Sequence, residues 1–144
     1  LAKDLAALGV DGVVTSPESK AAATARIIAT ALDLPLSENG SLREQGLDTI
    51  PWIPEPHGFI DAVRDHFARP DEAVFGDESS ASAATGVERG RVTHRFPVVV
   101  THGRVMCGYL RDAIGIDPMD VWPTLRMPDA LVVDLVRKTF ERVG

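Results

Sequence analysis

Val98-Val99-Val100-Thr101-His102-Gly103 sets three consecutive β-branched residues ahead of a hydroxyl, an imidazole and a glycine. The apolar run is continuous rather than alternating, as in a strand covered on both faces, so a strand is expected over Pro97 to Thr101. The residues that follow, Arg104 to Gly115, keep apolar side chains at helical spacing, and Gly115 is a helix stop, which predicts a helix over Gly103 to Ile114. A histidine therefore stands where a buried strand hands over to a helix, at a point where free backbone N–H groups gather.

The first third of the chain repeats that grammar. Leu1, Leu5 and Leu8 share one helical face that closes at Gly9, and Val10 to Val14 then read as a short strand halted by Thr15-Ser16-Pro17. An alanine-rich helix follows, with Ser16 expected as N-cap, Pro17 in the first turn, and Ile27, Ile28, Ala31 and Leu32 grouped for burial. Pro35 to Glu44 reads as a short edge strand or extended segment. Gln45 to Gly58, with three prolines and two glycines, reads as loop.

Phe59, Ile60, Val63 and Phe67 restore helical spacing. Arg69 to Gly90 is small and polar; Asp77-Glu78-Ser79 could start a helix, but the serines and Gly86 point to a mobile or cap-like segment. Ala130 to Val136 is expected as a strand before a charged tail. Strands alternating with helices predict an α/β fold, three layers α/β/α around a mainly parallel sheet, with residues 1–144 as one domain. Functional groups in such sheets collect at the carboxyl ends of the strands.

Bulk properties narrow the function. The formal net charge of -6 over 144 residues argues against broad binding to nucleic acid or anionic membrane, which draw affinity from clustered Lys and Arg. No apolar run approaches a membrane span and no signal peptide is visible, so the expected location is cytoplasmic. Cys107 is the single cysteine, which rules out an internal disulfide and a cysteine metal cluster, and its place in an apolar helical pattern is that of a core thiol. No residue spacing suggests a metal-ligand set.

His102 at a helix start is able to donate a hydrogen bond to a phosphoryl oxygen, and Gly103 allows a ligand close to the backbone; a ring satisfied by neighbouring backbone is the competing reading. His57 in the proline-rich loop, His66 in the amphipathic helix and His94 among arginines are expected at the solvated surface.

Four motifs occur in order: Thr15-Ser16-Pro17 with Lys20-Ala21 and Ala23-Thr24-Ala25; Leu42-Arg43-Glu44; Gly76-Asp77-Glu78-Ser79; and Thr101-His102-Gly103. Together they resemble the histidine phosphatase superfamily, the group of phosphoglycerate mutases and small phosphomonoesterases, over nearly the whole chain. The resemblance implies a phosphoglycerate mutase-like fold and phosphomonoester hydrolysis through a phosphohistidine. It makes His102 the second pocket histidine, and Glu44 the proton donor to the leaving oxygen and later the base for water. Lys20 takes the place of a phosphate-binding arginine, Ser16 lies at the phosphate site, and Gly103 lends its N–H. The ligand implied is a small phosphomonoester or inorganic phosphate, with no metal or other cofactor.

The resemblance departs at two points. The family's nucleophile sits in an Arg-His-Gly motif on an opening strand, and residues 1–144 contain no such motif, so the nucleophile is expected upstream of Leu1. Lys20 keeps the charge of the arginine it replaces but lacks the planar fork. A catalytically inactive phospholigand-binding module of the same fold is therefore the alternative, and Ser16 as a hydrolase nucleophile with His102 as base is a third reading. The resemblance implies phosphatase rather than mutase, because the family's mutases carry a longer insertion between the motifs of Glu44 and His102.

Overall fold

The computed structural model describes residues 1–48, 50–53 and 56–143. In chain order the elements are α1 (Ala2–Ala7), β1 (Gly12–Thr15), α2 (Ser19–Leu32), β2 (Leu36–Glu38), α3 (Pro56–Ala68), α4 (Ser80–Arg91), β3 (Pro97–Val100), α5 (Gly103–Ile114), α6 (Pro118–Val121), β4 (Leu131–Asp134) and β5 (Thr139–Arg142). One-turn 3-10 helices occupy Gly40–Leu42 and Trp122–Thr124.

The strands β2, β1 and β3 form a parallel sheet in the order β2-β1-β3, with Val13 opposite Val98 and Thr15 opposite both Glu38 and Val100. The period of two along the strands divides their side chains between two cores. Val13, Val98 and Val100 face α1 and α2, where Leu5, Ala25, Ile28 and Ala29 cover them. Val14 and Val99 face α4 and α5, against Ala83, Ala84, Val87, Val105 and Tyr109. The parallel sheet thus carries helices on both sides. A third cluster joins α3, α5 and α6 to β4 and β5 through Val63, Phe67, Leu110, Ile114 and Val121.

Several expectations need correction. The first strand is Gly12–Thr15 rather than Val10 to Val14. Glu18, not Ser16, is the N-cap of α2, so Pro17 lies outside the helix; Ser16 Oγ instead accepts the Glu18 N–H at 3.3 Å. Ile27 is 70% exposed and Ala31 is also exposed, because the buried stripe of α2 runs through Ala21, Ala22, Ala25, Ile28 and Ala29, whose small side chains bring the helix close to the sheet.

The segment read as mobile or cap-like contains α4, whose N-cap Ser79 accepts the Ser82 N–H at 3.2 Å. Ser80, Gly86 and Gly90 are buried packing residues. A Cβ at Gly86 would lie 2.2 Å from the Ser41 carbonyl oxygen, and one at Gly108 of α5 would lie 3.2 Å from the Ser80 carbonyl. Only glycine permits the first approach.

Beyond Val136 the charged tail is not a tail: β4 and β5 pair antiparallel as a hairpin. The Asp134 carboxylate organises the turn by accepting the N–H groups of Val136 and Arg137 at 3.0 and 2.9 Å. Of the stretch read as loop, Pro56 to Gly58 open α3, while Thr49, Pro54 and Glu55 lie outside the described residues.

Candidate phosphate site at the strand ends

Parallel strands end together. Thr15 and Val100 are register partners, and the Ser16 N–H donates to the Val100 carbonyl at 2.9 Å, so Ser16 and His102 leave the same edge of the sheet side by side. His102 is the N-cap of α5 in extended conformation, and the N–H groups of Gly103 and Arg104 follow in the first helical turn, where no intrahelical acceptor exists for them. Thr101 ties this tip to the next loop, its hydroxyl donating to the Leu42 carbonyl at 2.8 Å, which brings Arg43 and Glu44 alongside.

Four of the five expected site residues are joined by side-chain contacts. His102 Nε2 lies 2.9 Å from Ser16 Oγ, His102 Nδ1 lies 3.8 Å from Glu44 Oε2, and Lys20 Nζ donates to Glu44 Oε2 at 2.9 Å. Gly103 contributes backbone only, and its Cα faces Leu125 and Trp122. His102 and Ser16 are buried, Glu44 is partly buried, and Lys20 is exposed.

Two further residues enter the site: Glu18, and Arg104, an arginine expected from its sequence position to face solvent. Glu18 Oε1 accepts the Glu44 N–H at 2.7 Å and stands 3.5 Å from His102 Nε2. Arg104, buried at 3% exposure, donates through its two terminal nitrogens to the carbonyls of Phe75 and Gln45, each at 2.8 Å, and its Nε approaches Glu44 Oε1 at 3.6 Å. A cation in the first turn of a helix opposes the helix dipole, and that conflict was the available signal for Arg104. The aspartate of Gly76-Asp77-Glu78-Ser79 secures the same loop by accepting from Arg43 and from the Gly46 N–H.

Burial is the largest influence on His102 and lowers its pKa, outweighing the opposing pull of Glu18 and Glu44, so the ring is neutral at pH 7. For Glu44 burial alone would raise the pKa, but Lys20, Arg104 and His102 together hold the carboxyl below its ordinary value. Burial lowers the Arg104 pKa, partly offset by Glu44.

One donor atom from each of Glu18, Glu44 and His102 lies within 4.8 Å of the others, so these are the residues that could approach a metal ion among those described. Lys20 and Arg104 both pair with Glu44, and Glu18 accepts the Glu44 N–H, which makes the grouping an ion-pair and hydrogen-bond network.

Of the other histidines, His57 is exposed at the start of α3 and His94 is partly buried beside Gly12. His66 is fully buried, contrary to expectation, because it follows Val63 and precedes Phe67 on the buried stripe of α3. Cys107 is buried as expected, and burial pushes its thiol up to about 12.

A parallel sheet clothed by helices on both sides, with an imidazole, a serine and two helix starts at its carboxyl edge, defines a class of α/β protein whose polar groups gather at the strand ends. The sequence model of the histidine phosphatase superfamily (branch 1) matches residues 1–139, and the chain belongs to that superfamily. A search of curated proteins finds no match to this sequence.

Among solved structures, mycobacterial hydrolase 2 superposes with a TM-score of 0.61 at 21% identity, over 87% of this chain and 60% of its own. A mycobacterial glucosyl-3-phosphoglycerate phosphatase superposes with a TM-score of 0.61 at 18% identity, over 98% of this chain and 79% of its own. The inorganic phosphate complex of that phosphatase gives 0.60 at 17%, with the same coverage. These likenesses establish the fold.

Proposed function

We propose that the strand-end cluster is the phosphoryl pocket of a phosphomonoester hydrolase. The observation that carries this reading is the meeting of His102, Ser16, Glu44 and Lys20 at one edge of the parallel sheet. The neutral His102 and the N–H groups at the start of α5 donate to the equatorial oxygens of phosphate, and Lys20 and Arg104 supply positive charge. Binding of inorganic phosphate by a related fold agrees with this.

The reaction proceeds through a phosphohistidine formed on a histidine carried upstream of Leu1. Its ring nitrogen attacks phosphorus, the bond to the leaving oxygen breaks, and that oxygen takes a proton from Glu44. Water then attacks phosphorus, giving its proton to the Glu44 carboxylate, and the N–P bond breaks to regenerate the imidazole. Lys20 moves from Glu44 to the incoming phosphate, and the added negative charge raises the Glu44 pKa toward the protonated form needed in the first step.

The unpaired outer edge of β3, which bonds only to β1 among the described strands, supports a further strand seated there. Residues 1–144 form one domain in this reading, since α5 packs in two of the three clusters. Hydrolysis rather than mutase transfer fits the short span from Glu44 to His102, and the cytoplasm fits an acidic chain with one buried thiol.

A phospholigand-binding module without turnover is the second reading, favoured by Glu18 beside His102 and by Lys20, paired with Glu44, in place of an arginine. Incubating the full-length protein with an aryl phosphate, and quenching in alkali to look for acid-labile phosphohistidine, separates the two. Turnover with a labelled histidine is expected, whereas saturable phosphate binding without turnover would establish the module.

A further inference from the structure

Beside Glu44 lies a groove of about 490 Å³ whose walls include Glu18, Arg43, Gln45, Leu47, Phe59 and Arg104. It adjoins the carboxylate assigned to protonate the leaving oxygen, so the leaving group of a bound ester occupies it. Its charges are already spent. Both terminal nitrogens of Arg43 are held by the Asp77 carboxylate, at 3.3 and 3.0 Å, and one also donates to the Glu44 carbonyl at 3.1 Å. Arg104 is committed to two carbonyls and to Glu44. No cation among the groove's described walls is free to receive a second carboxylate or phosphate.

What the groove does offer is apolar and flat. Leu47 and Phe59 are 37% and 36% exposed. The Phe59 ring is fixed from behind by Phe75, edge-on with centroids 5.3 Å apart, and by Trp122 at 6.1 Å. An aromatic wall held by other aromatics presents a preformed surface, and another ring gains there without ordering cost.

We propose that this groove selects phosphomonoesters whose leaving alcohol is uncharged and aromatic, and disfavours those bearing a second anion. The inference rests on the phosphoryl pocket proposed above and deepens it. The pocket fixes the phosphoryl group, and the groove reads what is attached to it.

Phosphonates test this without turnover, because their C–P bond resists hydrolysis. Titration calorimetry of the full-length protein compares methylphosphonate, benzylphosphonate and phosphonoacetate. Benzylphosphonate is expected to bind about tenfold tighter than methylphosphonate, the scale of one good aromatic contact with its buried area, and phosphonoacetate no tighter than methylphosphonate. Phe59→Ala should abolish the benzyl advantage while leaving methylphosphonate affinity unchanged, which also reports that the variant is folded.

Asp77→Asn keeps an oxygen for the Gly46 N–H but releases the Arg43 charge, and should raise phosphonoacetate affinity several-fold. Equal binding of benzyl- and methylphosphonate, a benzyl advantage that survives Phe59→Ala, or tightest binding of phosphonoacetate would each overturn the proposal. If neither methylphosphonate nor inorganic phosphate binds the wild-type protein, the phosphoryl pocket itself fails and this inference with it.

Discussion

Two histidines are buried among the described residues, and their hydrogen-bond partners and nearby carboxylates differ. His102 lies at the tip of β3 with a serine hydroxyl at 2.9 Å and a carboxylate on either side of its ring. His66 lies in the seam between α3 and α5, and neither ring nitrogen finds a hydrogen-bond partner among the described residues. Burial lowers both pKa values, yet only at His102 is it opposed by nearby carboxylates. Desolvation alone is therefore no mark of function; an imidazole becomes useful where burial and specific partners compete.

Removing each imidazole in turn tests this contrast most directly. His102→Ala should lower kcat of the full-length protein on an aryl phosphate by about a hundred- to ten-thousand-fold, the range for losing a positioned catalytic group. His66→Leu should leave kcat within about threefold. Equal losses would dissolve the distinction.

The next largest effect belongs to His66 and to acid. Its pKa falls from 6.5 to about 4 through burial first and then through Arg104 and Arg111. Above 6.5 the ring is neutral in both folded and unfolded chains and contributes no pH dependence. Below 6.5 the unfolded chain binds a proton that the folded chain refuses, so stability falls until about pH 4, by a total of about 3 kcal/mol. Urea denaturation at a series of pH values should show that fall, and His66→Leu should remove it while changing stability near pH 7 by less than about 1 kcal/mol, since no hydrogen bond is lost.

The strand-end sequence announced one of these histidines and concealed the other. Val98 to Gly103 was legible because a run of β-branched residues has few alternatives to a parallel strand, although β3 stands half-buried at the sheet edge, and the helix from Gly103 to Ile114 lies where its spacing and terminal glycine put it. His66 was misread because Arg64, Asp65 and Arg69 around it look like a polar face; the i, i+3, i+4 pattern of Val63, His66 and Phe67 carried the opposite message.

A similar failure hid α4, where Ser80, Ala83, Ala84 and Val87 keep helical spacing but small side chains weaken the hydrophobic signal. In β5 only Phe140 points to the core, and its charged neighbours made a one-sided strand resemble a tail. Of the candidate site, the grouping of Ser16, Lys20, Glu44 and His102 was legible, but Glu18 became visible only through its bond to the Glu44 N–H, a contact across 26 positions.

Smaller substitutions sharpen the His102 side of the comparison. Ser16→Ala removes the hydroxyl against Nε2 and should destabilise the folded protein by about 1 kcal/mol, read from the urea midpoint at unchanged m. Lys20→Arg restores a forked cation at the site and should tighten inorganic phosphate by about two- to fivefold in calorimetry. Weaker binding would show that the loop has adapted to lysine.

Gly86 sets a condition on how this molecule could be re-engineered. Because its Cα rests on the Ser41 carbonyl, helix α4 is the anvil on which the loop bearing Arg43 and Glu44 is struck. A library that diversifies Arg43 and Leu47 to exchange one ligand for another can vary those two side chains, provided Glu44 and the glycine beneath the loop are kept. Replace Gly86, and the Glu44 carboxylate drifts from a distance, through a residue that lies outside the candidate site.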